Sequence, residues 1–502
     1  MEHQSHAIAA GICGSLSSSQ TPSNSSKPKS SHSNNTTSQY FKHFSGQTTS
    51  TNTILAASLK KQYPNLKLSV LSGGIDLLGF AASGHAKCTP LDDDAANTSL
   101  PSSVTVDYYY PPARRIGGGN GVVAQNIQFG KFLYEWNRDD YIVYIAHGLD
   151  GDSGLNSYTF TYVLSSEERK SDALVIAAGK WTSTLHEEIW VFDGGYWSKN
   201  AALYQSVMKA SWDAVILDAK MKKDLINDHL YFFQSRDTYQ RLKVPWKRGI
   251  IYYGPPGNGK TISIKAMMHT LYEMEPEIPT LYVRSLSSFM GPEYSIKSIF
   301  AQARQFAPCY LVFEDLDSLV SDSVRSYFLN EVDGLKDNDG IFMIGSTNHL
   351  ERLDPGISKR PSRFDRKYLF PNPNLHERIA YCHFWQSKLK DNKEIIFPDK
   401  LCDAIAGITD KFSFAYIQEA FVAALLAIAR DEKPEGIVTA MDVLTIDAAD
   451  DWVEVMDGSG GEDPELEKLV LWVEIRKQVK ILREGLNQGD GEGESEAADR
   501  DV

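Results

Sequence analysis

The stretch "IIYYGPPGNGKTISIKAM", residues 250–267, decides how this chain is read. Ile250 to Tyr253 form an apolar run suited to a strand buried on both faces. "GPPGNGKT" follows, and it fits the spacing G-x-x-x-x-G-K-[ST]. Gly254, Pro255, Pro256, Gly257, Asn258 and Gly259 make a loop whose glycines let backbone N–H groups converge on an anion. The amphipathic run after it predicts a helix, whose N-terminus adds partial positive charge. Lys260 supplies a point charge for β- and γ-phosphates, and the Thr261 hydroxyl is placed to ligate Mg²⁺. Strand, glycine loop and helix in this order predict a site for a nucleoside triphosphate.

The rhythm around that loop agrees. From about Ser211 to Pro373, "GIIYYG", "TLYVRS", "CYLVFED", "IFMIGSTN" and "RKYLFP" read as short buried strands separated by helical stretches. That alternation predicts an α/β fold, a parallel sheet covered by helices on both faces. The boundaries expected are a Ser/Thr-rich disordered tail at 1–48, a β-rich domain at 49–205, an α/β nucleotide-binding domain at 206–373 and a helical domain at 374–434. A C-terminal extension with a helix at 435–486 and an acidic disordered tail at 487–502 complete the chain.

Composition narrows the function. At 502 residues, 42% hydrophobic and 23% charged, the chain has the balance of a globular protein with more than one core. The net charge of −14 resides in the last segment, where Asp431 to Val502 hold 21 acidic against 7 basic residues. No Lys/Arg cluster long enough to suggest a nucleic-acid face is present. Cys13, Cys88, Cys309, Cys382 and Cys402 are scattered without metal or disulfide spacing, and no apolar run reaches the roughly 18 residues of a membrane span. A cytoplasmic protein is the expectation. "LHEEIW", residues 185–190, lacks the second histidine of a zinc site.

A phosphate loop needs a carboxylate partner, and "YLVFEDLDSL", residues 310–319, is an apolar strand ending in Glu314 and Asp315. With these two motifs the chain resembles the AAA ATPases, which remodel proteins. In that family the order is Asp then Glu, the first holding Mg²⁺ and the second polarising the attacking water. The resemblance therefore implies ATP and Mg²⁺ as cofactors, with Glu314 facing the metal and Asp315 reaching for the water, in inverted order. The Glu-Asp order is shared with the branch that includes the mitochondrial chaperone that translocates the Rieske iron–sulfur protein.

The same resemblance extends over "IFMIGSTNHLERLDPGISKRPSRFDRKYLFPNP", residues 341–373. Asn348 matches the polar sensor of water and γ-phosphate, and Arg360 and Arg363 match arginine fingers that act on a neighbouring subunit's nucleotide. Fingers of that kind imply a ring, by resemblance a homohexamer. Local salt bridges in a Pro/Ser turn are the alternative for both arginines. Val215 and Ile216 correspond to the segment flanking adenine, or else simply pack in the core. Phe289, Met290 and Gly291 match the pore-loop trio that grips a protein substrate, with a buried Phe–Met pair as the alternative. In "KFSFAYI", 411–417, Phe414 stands where the family pattern has glycine, which puts the base contacts in doubt. Besides a protein-remodelling ATPase, a nucleotide-gated scaffold and, with less support, a DNA-handling ATPase remain open.

Overall fold

The computed structural model describes residues 50–91, 103–112, 120–149, 157–333, 337–360, 363–431 and 464–498. The tail expected at 1–48, most of the segment between the helical domain and 464, and the last four residues lie outside that set. The chain divides into two compact units, Met1–Thr184 and Leu185–Val502.

The first unit is built on six antiparallel strands: β1 (Lys67–Ser72), β2 (Lys87–Pro90), β3 (Val104–Tyr110), β4 (Val122–Trp136), β5 (Asp139–Leu149) and β6 (Ser157–Ser165). Their order is β1-β6-β5-β4-β2, with β3 also paired to β4. Side chains along β5 alternate between two cores, as the two-residue period of a strand requires. Tyr141, Val143 and Ile145 pack with Leu174 and Ala178 of the helix Glu168–Ser183. Tyr144 and Ala146 pack with Leu59 of the helix Thr51–Gln62.

The second unit holds a seven-stranded sheet in the order β13-β9-β12-β11-β10-β7-β8. Its strands are β7 (Ile189–Asp193), β8 (Tyr196–Asn200), β9 (Arg248–Tyr253), β10 (Thr280–Val283), β11 (Cys309–Phe313), β12 (Ile341–Thr347) and β13 (Arg366–Leu369). All neighbours run parallel except β8, which pairs antiparallel with β7. Every residue of β11 and β12 is buried, which is why both read as continuous apolar runs. The apolar pattern of "IWVFD" assigns Ile189–Asp193 to the N-terminal β domain, yet this strand pairs in parallel with β10. The unit boundary accordingly falls at Thr184/Leu185 instead of 205. Strand propensity marks a strand but carries no information on which sheet it joins.

Beyond β13, the helices Leu375–Lys388, Asp399–Ile408 and Phe414–Asp431 form a smaller core. The helix Val470–Ala498 adds Leu471, Trp472, Ile475 and Val479 to it, so the C-terminal extension is part of this helical lid. That helix continues past Gly485 into the region expected as a disordered tail, since elongation from a docked helical segment adds one hydrogen bond per residue. Among the described residues no helix is long and apolar enough to cross a membrane.

His229, on the helix Ala219–Gln234, is buried in the core against the sheet. Its Nδ1 lies 2.8 Å from the Leu225 carbonyl oxygen, so that nitrogen carries the proton, and Nε2 accepts from the Tyr310 hydroxyl at 3.3 Å. Burial pushes its pKa down to about 4, only partly opposed by the Leu225 bond and the charge of Asp228. An unfolded histidine titrates near 6.5, so between these values the unfolded chain binds more protons. Stability should be intact above pH 6.5 and decline as pH falls toward 4, by roughly 3 kcal/mol when complete. Urea unfolding across that range should show this decline in the parent chain, and His229→Gln should remove it.

Candidate functional site

The loop between β9 and the helix Lys260–Tyr272 turns at Gly254, Gly257 and Gly259, all with positive φ. Gly257 is constrained by space as well as by conformation. A Cβ there would stand 2.5 Å from the Ala415 Cβ. Gly259 occupies the N-cap and offers no side chain to the helix, so the first N–H groups of Lys260–Tyr272 are left for a ligand.

The lid holds this loop from behind. Ala415 N–H donates to the Gly257 carbonyl at 3.1 Å. The Asn258 amide donates to Asn372 Oδ1 at 2.8 Å, and Asn258 Oδ1 accepts the Phe414 N–H at 3.3 Å. Asn372 in turn donates to the Lys411 carbonyl at 3.1 Å. These bonds fix the start of the helix Phe414–Asp431 against the glycine loop.

In front of the loop lies a cavity of about 420 Å³. One end is polar, lined by Gly257, Gly259, Lys260, Thr261, Asp315, Ser346 and Asn348. The other is mostly apolar and aromatic, lined by Val215, Ile216, Tyr381 and Phe414, with Gln418 beside them. Lys260 is buried, and its ammonium donates to the carbonyls of Gly254 at 2.7 Å and Pro255 at 2.8 Å. Burial lowers its pKa, and the charge of Asp315 opposes that shift. Val215 is buried, and Ile216 packs against the lid core; both line the cavity. Gly254, Pro255 and Asn258 build the loop without lining the cavity, whereas Pro256 lines it.

The two acidic residues after β11 part company. Asp315 sits in the left-handed region at φ 51°, its N–H donating to Ser346 Oγ at 3.3 Å, and it lines both this cavity, with Lys260, and a second one beside it. Glu314, expected to face the metal, is absent from the lining of the first. It lines the second, a cavity of about 500 Å³, with Arg284 and Ser321, and its Oε2 accepts the Tyr282 hydroxyl at 2.7 Å. Burial first, and the neighbouring Glu314 charge second, raise the Tyr282 pKa, keeping that hydroxyl protonated as the donor. Both acids lie past the end of β11 at Phe313, and the left-handed backbone of Asp315 turns the chain between them.

The two arginines also differ. The Arg360 side chain is 62% exposed, with Asp333 at 3.8 Å. Arg363 is buried, its Nε bonded to Asp333 at 2.6 Å and its guanidinium to the Gly356 carbonyl at 2.6 Å. Both arginines pair locally with Asp333, Arg363 closely and buried, Arg360 at the edge of contact and exposed, and neither lines the cavity of its own chain. Phe289 and Met290 are exposed, which removes the buried-pair alternative for that trio. Tyr381 and Phe414 were not legible as site residues. Their rings meet edge to face at 5.1 Å and wall the apolar end, so the residue that departs from the glycine pattern supplies an aromatic surface.

The donor set fits a triphosphate with a hard divalent cation: a cradle closed to Cβ atoms, an uncapped helix start, an ammonium, a hydroxyl and one carboxylate. Among the described residues there is no cluster of three or more His, Cys, Asp or Glu that could hold a metal by itself. Residues 250–372 match the family model for the ATPase family associated with various cellular activities (AAA). The ATP-dependent zinc metalloprotease FtsH of Acidothermus cellulolyticus is 30% identical over 242 residues, covering 44% of this chain and 35% of that relative. The chain therefore spans about a third of that relative's length.

The contrast between the arginines is measurable. Arg363→Ala removes a buried guanidinium bonded to Asp333 at 2.6 Å and should cost about 3 to 5 kcal/mol of stability. Arg360→Ala should stay within about 0.5 kcal/mol of the parent. Denaturant unfolding of the two variants side by side checks the difference.

Proposed function

We propose, on the premise that residues 250–372 are an AAA-type P-loop ATPase domain, that this chain binds and hydrolyses ATP in an assembly of its own copies and uses the turnover to remodel or move a protein substrate. One observation carries this reading. Among the described residues the cavity gathers Lys260, Thr261, Asp315 and Asn348 but no arginine, while Arg360 is exposed elsewhere on the same unit. A site that needs a guanidinium to balance charge in phosphoryl transfer would take it from a neighbouring copy. A ring is the closed form of such head-to-tail contacts. The hexamer is the number suggested by resemblance.

In this reading the apolar end, walled by Tyr381 and Phe414, takes the base, and Val215 and Ile216 flank it. The loop N–H groups and Lys260 bind the phosphates. Mg²⁺, held by the Thr261 hydroxyl and phosphate oxygens, would neutralise charge between the phosphates. Asp315, the carboxylate that lines the polar end, takes the proton from the attacking water, and Asn348 orients that water by hydrogen bonding. Glu314 serves from the second row, held by Tyr282. Arg360 of one copy stabilises charge at the site of the next, and Arg363 keeps the segment that bears it folded.

A second reading, a nucleotide-gated scaffold with little turnover, draws on the same Glu314–Tyr282 bond, since it leaves one carboxylate in the cavity. Steady phosphate release by the purified chain separates the two. Asp315→Asn should retain nucleotide binding while slowing release about a hundredfold or more, the usual effect of removing a general base. Glu314→Gln should slow it by no more than about tenfold, because the amide still accepts from Tyr282. Undiminished turnover in Asp315→Asn contradicts the assignment.

A further inference from the structure

The hairpin between β7 and β8 brings a second aromatic residue beside Phe289. Gly194 and Gly195 close that hairpin with φ of 60° and 93°, the two positive angles of a type I′ turn. Gly195 lies so near the segment after β10 that a Cβ on it would stand 2.6 Å from the Ser288 Cβ. Arg284 N–H donates to the Phe192 carbonyl at 3.0 Å, and the Arg284 guanidinium pairs with Asp193 at 3.3 Å. The hairpin and the 284–291 segment therefore form one tied edge. On that edge Tyr196 and Phe289 stack, with ring centroids 6.1 Å apart and planes 30° from parallel. Both rings nonetheless face solvent, at 62% and 79% exposure, and Met290 beside them is 54% exposed. Single exposed apolar residues are ordinary, but three together on a braced edge mark a contact surface.

We propose that Tyr196 and Phe289 form a two-ring clasp for an extended, uncharged segment of a polypeptide. The inference rests on the reading of Phe289, Met290 and Gly291 as the grip on a protein substrate, and adds to it a residue outside the family-matched 250–372. Two offset rings present a wider apolar face than one, and aromatic faces hold a chain without reading its sequence. Charge at the clasp decides between a polypeptide and a nucleic acid, whose bases would also stack on such rings. Nucleic-acid binding depends on cations that neutralise phosphates. The cation at the root of the clasp, Arg284, is already paired with Asp193. The Glu293 carboxylate lies 3.3 Å from where a Cβ on Gly291 would be, adding negative charge at the tip. Such a surface repels a phosphate backbone and accommodates a neutral peptide. Arg284 also lines the cavity that holds Glu314, so the clasp is rooted one strand away from the carboxylates of the nucleotide site.

The test uses the full chain with ATP and fluorescein-labelled casein, an unfolded polypeptide, followed by fluorescence anisotropy. Tyr196→Ser and Phe289→Ser should each weaken casein binding about tenfold, the scale of aromatic truncation at an interface, and Tyr196→Phe should bind as the parent does. Tyr196→Lys should lose casein as the serine variant does, which covers the case of a serine variant that melts early. Parent-like binding by both Tyr196→Ser and Tyr196→Lys, with loss confined to Phe289→Ser, overturns the clasp and leaves the protein-substrate reading standing. Absence of casein binding by the parent chain defeats both. Salt-sensitive binding of an oligothymidylate that Tyr196→Ser abolishes, in place of casein binding, also overturns the proposal and gives the rings to nucleic acid.

Discussion

The phosphate loop is held in place by the side chain of a residue that never enters the cavity. Asn258 donates to Asn372 and accepts from the Phe414 N–H, while Ala415 N–H donates to the carbonyl of Gly257. A backbone loop that must aim its N–H groups inward has its carbonyls facing outward, and buried carbonyls need donors. The Lys260 ammonium supplies those of Gly254 and Pro255, and the lid supplies one to Gly257 through the Ala415 N–H. The contact is so close that Gly257 has no room for a side chain against Ala415. Loop conformation and the position of the helix Phe414–Asp431 are consequently tied by direct contacts. That helix belongs to the core into which Leu471, Trp472 and Ile475 pack, so the loop is joined to a close-packed interior.

A second constraint is the left-handed turn at Asp315 just past β11. The strand is buried over Cys309–Phe313, and the two acids that follow it meet different partners. Asp315 turns toward Lys260, and Glu314 is received by Tyr282, whose own strand continues into the segment bearing Phe289. The inverted order of the pair thus places the shorter acid in the cavity.

Much of the site was legible because few arrangements of residues can cradle a phosphate. The glycine spacing, Lys260 and Thr261 fix strand, turn and helix before any coordinate is known, and apolar strands between helical stretches fix a parallel sheet. What escaped depends on contacts remote in sequence. Asn258 finds Asn372 and Phe414, 114 and 156 residues on, and no local pattern announces either. Arg360 and Arg363 are the same residue type three positions apart, and only Asp333, 30 residues before Arg363, makes one structural and leaves the other exposed. Ile189–Asp193 has the composition of its neighbours in the chain but pairs with β10 instead, since register and sheet choice follow from packing. Phe414 reads as a lost glycine in sequence and as an aromatic wall in space.

The account stands or falls on whether one copy completes the site of another. Two variants divide the labour: Arg360→Ala keeps the cavity and loses the exposed guanidinium, while Asp315→Asn keeps the guanidinium and loses the cavity carboxylate. Each alone should release phosphate slowly. Mixed and allowed to assemble together, they should recover a substantial part of the parental rate, because an intact cavity then meets an intact arginine at some interfaces. A mixture no faster than its components, or full activity in Arg360→Ala by itself, would contradict a shared site.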